Sequence, residues 1–191
     1  LRMQNGEIHH INYTGSLDLG YPGIDVPPYS LLPEDFTFEH NSAKSDIRAM
    51  YFADRFGVGY DNWTLELIET KSPYSGDYFI ISLLLPKTDM DLGILEGEYK
   101  IWSNDMSNDE YAYTFIPGTL LEGQPKYSWY MVCQNGMITG ERGCPFVDGT
   151  IKVEKAGNKY CVTFDCIDDR GNKISGTFTS AMNEVYDRRD M

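Results

Sequence analysis

The segment from residue 149 to residue 179 constrains the fold most, because apolar and polar residues alternate along three successive stretches of it. A two-residue turn at Gly157-Asn158 pairs Val153 with Val162 and brings the apolar side chains of two stretches to one face. Alternation with a period of two is typical of strands that are buried on one side. The segment therefore predicts a β-hairpin that continues into a third strand.

The loop between the second and third stretches contains Asp169-Arg170-Gly171. A three-residue loop with Gly171 in the left-handed conformation pairs Cys166 with Ile174 and keeps Phe178 on the apolar face. A two-residue loop would turn Ile174 and Phe178 to the polar face, so the pattern selects the longer loop. The same register pairs Val162 with Phe178, Phe164 with Gly176 and Glu154 with Cys161.

Strand periodicity also marks earlier parts of the chain. Trp63, Leu65 and Leu67 alternate with polar residues, and residues 78–85 are nearly all apolar, as in a strand covered on both faces. Asn135-Gly136 between two apolar stretches is a strong hairpin signal. Two further strands are predicted at residues 97–102 and at residues 45–53, where a short helix is the less favoured alternative.

No stretch shows a sustained apolar stripe at helical spacing, and 18 Gly and nine Pro supply turns throughout. The sequence therefore predicts one all-β domain over residues 1–191. We expect an antiparallel meander forming a β-sandwich or flattened barrel, with a lipocalin-like closed barrel as the alternative. Residues 1–35, which contain four prolines, are predicted to form an extended N-terminal arm that lies over the sheet.

The charge of the chain excludes two classes of partner. Sixteen Lys and Arg against 29 Asp and Glu give a formal net charge of −13. Binding of nucleic acid or of an anionic membrane surface requires clustered cations, so neither partner is expected. The longest apolar run, residues 79–85, is far shorter than the ~20 residues of a membrane-spanning helix, and no transmembrane segment is predicted.

Part of the chain resembles a known group of proteins. Gly149-Thr-Ile-Lys-Val153, Asp168-Asp-Arg-Gly171 and Ile174-x-Gly-Thr-Phe178, with Asn62-Trp63-x-Leu65-x-Leu67 earlier, look like strands of small exported β-proteins and lipoproteins of the Bacteroidetes. The resemblance implies export to the periplasm or cell surface of a Gram-negative bacterium, with a lipid anchor in the full-length precursor. The present chain would then be a mature or trimmed form. No functional residue carries over from this group.

Catalytic motifs are not found in the sequence. The three histidines, His9, His10 and His40, lie in no recognised nucleophile or zinc context, and adjacent residues of a strand point to opposite faces. The 29 carboxylates include close pairs by chance alone. We therefore predict no catalytic residues and no cofactor, and a carboxylate-based hydrolase is the least favoured function.

Asp105, Asp109 and Glu110 are candidate Ca²⁺ ligands, but their loop lacks the EF-hand glycine and its distal glutamate, and a solvated polar loop is the preferred interpretation.

The four cysteines match no zinc spacing, and free thiols and disulfides both stay open. A bond between Cys161 and Cys166 is excluded, because five residues of one strand separate them by about 16 Å.

Aromatic residues provide the candidate binding site. Tyr and Trp combine an apolar face with a polar edge, which suits stacking on sugar rings as well as half-buried sheet positions. If Tyr111 and Tyr113 lie in a strand, they share a face and form a platform. The candidate ligand-binding residues are Trp102, Tyr111, Tyr113, Trp129 and Tyr130.

These observations predict a non-catalytic exported protein that binds an extracellular ligand such as a glycan. The alternative is a lipocalin-like carrier of a small apolar ligand. That carrier needs a cavity of a few hundred Å³ inside the barrel, lined by residues such as Phe79, Ile81 and Phe178.

Overall fold

A computed structural model describes residues 28–40, 44–72, 75–135 and 137–190 of the chain. The described part is all-β, as predicted, with short 3₁₀ turns at Leu92–Leu95 and Asn108–Glu110. The strands are β1 Phe36–Glu39, β2 Ser45–Tyr51, β3 Asp61–Ser72, β4 Ser75–Leu85, β5 Gly97–Ile101, β6 Thr114–Phe115, β7 Thr119–Leu121, β8 Gln124–Lys126, β9 Trp129–Gln134, β10 Met137–Pro145, β11 Asp148–Ala156, β12 Lys159–Ile167 and β13 Lys173–Asp187.

Eight strands close into a barrel. Around the ring the order is β4, β3, β2, β13, β12, β11, β5 and β6, and β6 pairs back onto β4. Closure removes the free edges of the sheet, which an open sheet would have to protect from pairing with another chain. The fold is thus the closed barrel among the predicted alternatives, extended by β1, by the β9–β10 hairpin and by the separate β7–β8 hairpin.

The barrel is not a pure antiparallel meander, because three strand pairs are parallel. β13 pairs in parallel with β1 and with β2, and β5 pairs in parallel with β6. β1 and β2 share one edge of β13: β1 pairs with its residues Ile174–Thr177, and β2 pairs with its residues from Met182 onward. Alternation cannot reveal such pairs, since it reports which face a side chain takes and not the direction of the neighbouring strand.

The register predicted for β11, β12 and β13 is confirmed at every pair named above. Gly171 has φ +87°, as the three-residue loop requires. Gly176 serves a different purpose, since a Cβ atom at this position would lie 2.5 Å from the carbonyl oxygen of Phe38. The missing side chain therefore lets β1 pair closely with β13.

The strands predicted in the first half of the chain are also present. β2 ends at Tyr51, two residues before the predicted end. In β3 the side chains of Trp63, Leu65 and Leu67 are buried. β4 alternates over its first half and is buried on both faces from Ile81 to Leu85. Strand β1 is absent from the prediction, because its four residues are too few to show a period.

Aromatic rings fill the barrel interior around Phe79. Its ring lies 4.8 Å from Phe164, 5.0 Å from Phe38 and 5.0 Å from Tyr130, measured between centroids. Phe178, at 6.5 Å, completes this side of the cluster. Phe79, Ile81 and Phe178, the residues expected to line a carrier's cavity, are fully buried. Both phenylalanines pack against other rings of the core.

The described part of the predicted arm, residues 28–35, contains bends and no strand, and it docks onto the loop between β12 and β13. Ser30 and Leu32 are buried there. The Ser30 hydroxyl donates to Oδ2 of Asp168 at 2.6 Å, and the Ser30 amide donates to Asp169 at 2.9 Å. Residues 1–27 lie outside the described residues. We call the contact set of Ser30, Asp168, Asp169, Arg170 and Asn172 the arm anchor.

All four cysteines are free thiols. Cys144 and Cys166 are buried, and burial raises the pKa of Cys166 to about 12. The thiol of Cys166 therefore stays protonated at neutral pH and acts as a small apolar group of the core.

Candidate functional site

An aromatic pocket lies on the outer face of the barrel wall. It encloses about 280 Å³ and is half open to solvent. Its lining is almost entirely apolar, which is the usual character of a small-molecule site. The residues that define the aromatic pocket are Phe56, Val58, Leu84, Trp102, Ile116 and Tyr127.

The floor of the pocket is formed by the barrel itself. Leu83 and Leu85 point into the core, so Leu84 between them points outward and lies beneath the pocket. Ile116 follows β6, and its amide donates to the carbonyl of Ser82 at 2.8 Å. Both floor residues are therefore held by the ladder of the closed barrel.

One wall comes from the loop between β2 and β3. The carboxylate of Asp54 accepts hydrogen bonds from the amides of Val58, at 2.8 Å, and Gly59, at 2.9 Å. Lys87 lies 3.2 Å from the same group. Partial burial acts to raise the pKa of Asp54, but the bonds from Lys87, Gly59 and Val58 outweigh it and lower the pKa. The ionised carboxylate thus fixes the loop that carries Phe56.

The opposite wall is aromatic. The ring of Tyr127 meets that of Phe56 edge to face, with centroids 6.0 Å apart. Trp102 is packed edge to face on Tyr111 at 5.8 Å. Within the described residues, the indole nitrogen of Trp102 is buried and has no hydrogen-bond partner. A buried donor of this kind is costly, and such exceptions in a folded protein call for an explanation.

The structure does not gather the predicted ligand-binding residues into one platform. Trp102 lines the pocket, and Tyr111 packs against the ring of Trp102 without lining the pocket itself. Trp129 is buried, with its indole N–H donating to the carbonyls of Lys126, at 2.8 Å, and Thr119, at 3.1 Å. Tyr130 is buried and donates from its hydroxyl to Asp77 at 2.6 Å. These two residues stabilise the core and the β7–β8 hairpin.

The expectation that Tyr111 and Tyr113 share a face of one strand is wrong. Both lie in the turn before β6, and Tyr113 has a positive φ of 55°. The hydroxyl of Thr114 closes this turn by donating to the carbonyl of Tyr111 at 2.8 Å. Tyr113 instead packs against Tyr99, at 5.8 Å between centroids. Alternation alone suggests a strand here, but the hydrogen bond from Thr114 stabilises a turn instead.

The candidate calcium ligands lie in an exposed loop. The carboxylate of Glu110 accepts from the amide of Ser107 at 2.9 Å and from its hydroxyl at 2.8 Å. These two bonds lower the pKa of Glu110. Asp105 and Asp109 are exposed. In the parts of the chain that the structure describes, no group of three His, Cys, Asp or Glu side chains is arranged to hold a metal ion.

Two residues of the pocket, Phe56 and Tyr127, are not among the predicted site residues. Phe56 lies in a loop next to Gly57, and Tyr127 has a positive φ of 70°. Periodicity does not assign a face to a side chain in a loop. The one available signal was the position of Tyr127 two residues before Trp129, within the densest run of aromatics.

Comparison with protein-family models, with curated proteins and with solved structures finds no match for this chain. Across the described ranges, no helix has the length and apolar character that a helical membrane crossing requires.

Proposed function

We propose that this protein is a non-catalytic ligand-binding module and that the aromatic pocket holds a flat ring of its ligand. The observation that carries the proposal is a preformed, half-open hollow of about 280 Å³ whose walls include Phe56, Trp102 and Tyr127. Aromatic walls offer π faces to a ring that presents C–H groups or its own π system, as a sugar or an aromatic group does.

The volume limits the bound group. A cavity of about 150 Å³ accommodates benzene. The pocket is roughly twice that size, which corresponds to one sugar residue or a two-ring aromatic group. With about ten bound heavy atoms at roughly 0.4 to 0.6 kcal/mol each, the expected dissociation constant lies between about 1 mM and tens of micromolar. Tighter binding would require further contacts outside the pocket.

The composition of the pocket favours binding over catalysis. Its six residues include no carboxylate, imidazole or thiol, and the Tyr127 hydroxyl is its one titratable group. General acid–base or nucleophilic chemistry needs such groups within hydrogen-bond reach of the reacting atoms. A hydrolase based on surface carboxylates is therefore the less favoured candidate.

The packing of the barrel interior favours an outer site over a carrier's inner cavity. Phe79 stacks on Phe164 with planes 10° apart, and the rings of Phe38 and Phe79 meet edge to face. A ligand at this level would have to displace well-packed aromatic rings, which costs several kcal/mol. The proposal therefore places the ligand on the wall of the barrel.

The experiment combines a glycan array, a small aromatic probe and variants of the pocket. Indole and immobilised polysaccharides are tested against the native chain, Phe56→Ala and Tyr127→Ala, with Tyr186→Ala as the control at an exposed tyrosine outside the pocket. We expect at least one probe to bind, with binding about tenfold weaker in both pocket variants and unchanged in the control. If no probe binds, or if binding survives both pocket substitutions, the proposal fails.

We further propose export to the cell envelope, on the strength of the resemblance described above. Fractionation of cells expressing the full-length gene tests this point, with labelling by a palmitate analogue for the lipid anchor. Recovery of the protein in the cytosolic fraction would contradict export, whatever the outcome of the ligand assays.

A further inference from the structure

A second hollow, here called the arm groove, lies between the N-terminal arm and the β7–β8 hairpin. It has a volume of about 370 Å³ and is half open. Met131 and Trp129 are buried and form its floor. The groove shares no lining residue with the aromatic pocket. Its walls are formed mainly by Tyr29, Leu31, Leu120, Pro125 and Arg142.

The arm presents Tyr29 and Leu31 to this groove, whereas its Leu32 side chain packs in the core. Ser30 and Leu32 are buried, whereas Tyr29 and Leu31 are 37% and 47% exposed. The amide of Leu31 donates to the carbonyl of Gly143 at 2.8 Å, which ties the arm to β10. Together with the arm anchor, this bond holds the wall in place, so the groove exists before any ligand arrives.

Arg142 gives the groove a single cationic group. The ladder between β10 and β9 is interrupted between Thr139 and Gly143, and Arg142 lies in this irregular stretch. Such interruptions re-aim a side chain that a regular strand would direct elsewhere. The guanidinium stands 5.3 Å from the ring centroid of Phe36, which positions it. Outside residues 71–74 and 138–141, whose side chains are not described, no described carboxylate forms an ion pair with Arg142.

We propose that the arm groove binds a small amphipathic carboxylate, with its apolar chain along the groove and its carboxylate on Arg142. An apolar hollow with one convergent charged group is the usual design of a small-molecule site. A guanidinium presents paired N–H donors that match a carboxylate. If benzene fills about 150 Å³, a groove of 370 Å³ accepts a chain of roughly ten carbons.

The formal charge of the chain, −13, repels any anion at long range. This repulsion acts over exposed charges and is screened within about 8 to 10 Å at physiological salt, whereas a contact with Arg142 in the groove is screened less. Selectivity for a carboxylate over a neutral head group therefore depends on Arg142. Replacing this residue should abolish that selectivity and leave the apolar contribution.

The test uses octanoate and 1-octanol as probes and the indole N–H resonance of Trp129 as the reporter. In the native chain, octanoate should shift this resonance and bind more tightly than 1-octanol. In Arg142→Gln, octanoate should bind about tenfold to a hundredfold more weakly, and binding of 1-octanol should not change. Arg142→Lys, which keeps the charge but loses the paired donors, should fall between the two.

Two controls make the outcome decisive. Arg188→Gln removes another arginine that stands over a tyrosine ring, at 5.2 Å from Tyr186, and should leave octanoate binding unchanged. Tyr127→Ala alters only the aromatic pocket and should also have no effect. The proposal is overturned if octanoate does not shift the Trp129 resonance, if Arg142→Gln binds it as the native chain does, or if Tyr127→Ala weakens it.

Discussion

Removing the carboxylate of Asp168 should loosen the arm and destabilise the barrel. This side chain is 1% exposed and accepts four hydrogen bonds. Its donors are the amides of Arg170 and Asn172, at 2.9 and 2.8 Å, the side-chain amide of Asn172 at 3.0 Å, and the hydroxyl of Ser30 at 2.6 Å. Asp168 is therefore the most heavily bonded carboxylate of the arm anchor, beside the contacts that Asp169 and Arg170 make to Ser30.

The magnitude follows from the donors that Asp168→Ala leaves without an acceptor. The Asn172 side-chain amide still donates to the carbonyl of Leu32 at 3.1 Å, so three donors lose their acceptor. Each unsatisfied buried donor costs about 1 to 3 kcal/mol. Because the loop can relax and admit water, we expect a loss near the lower bound, about 3 to 5 kcal/mol in the free energy of unfolding. Ser30→Ala removes one of these bonds and should cost about 1 to 3 kcal/mol.

Urea unfolding followed by tryptophan fluorescence measures both losses, and hydrogen exchange locates them. In Ser30→Ala the amides of Leu31 and Leu32 should exchange faster, while those of β12 keep their protection. Asp165→Ala is the matched control, because this exposed carboxylate pairs with Lys173 at 3.0 Å and should contribute less than about 1 kcal/mol. A loss below about 1 kcal/mol in Asp168→Ala, or unchanged exchange in the arm, would refute the reasoning.

Three further predictions concern the core, the close strand contact and pH. Phe79→Ala should lower the free energy of unfolding by about 3 to 5 kcal/mol, measured in urea, because the surrounding rings cannot collapse fully into the space; a loss under about 1 kcal/mol would contradict the filled interior. Gly176→Ala should cost at least about 1 kcal/mol, since its Cβ would meet the carbonyl oxygen of Phe38 and its φ is +146°; a neutral effect would place β1 elsewhere. Burial, and then the hydrogen bond to Asp61, raises the pKa of Tyr51 from 10.0 to about 12. Between pH 10 and pH 12 the folded state keeps a proton that the unfolded chain loses, so the free energy of unfolding should fall as the pH rises through this range. The fall should be less steep in Tyr51→Phe. Urea midpoints measured at increasing pH test both expectations.

The candidate site was only partly predictable from the sequence. Trp102 could be singled out because aromatic residues cluster around it, and it does line the aromatic pocket. Phe56 could not, because its position depends on how Asp54 folds the β2–β3 loop. Trp129 and Tyr130 are residue types that occur both at binding surfaces and at buried sheet positions, so the sequence could not assign them to either. Their partners separate the two: the carboxylate of Asp77 holds Tyr130 in the interior, whereas the carbonyl of Lys126 ties Trp129 to the β7–β8 hairpin, at the floor of the arm groove.

The sequence alone determined the register of the last three strands. The two short turns set which residues pair, and a slip of one strand by one residue would turn its apolar side chains to the polar face, so Val162, Phe164 and Phe178 share a buried face in the observed register. Local chemistry is sufficient there, because each partner lies within one hairpin of the other.

Closure of the barrel, the parallel pairing of β13 with β1 and β2, and the position of both hollows were decided by the tertiary structure. The parallel pairs of β13 join residues more than a hundred positions apart, such as Ile47 with Met182, and closure joins Leu83 with Phe115 across several intervening strands and turns. Periodicity assigns a side chain to a face, but it holds no information on which distant strand or loop will cover that face. The aromatic pocket and the arm groove both form where loops and the arm meet the outside of the barrel, and so they exist only in the folded chain.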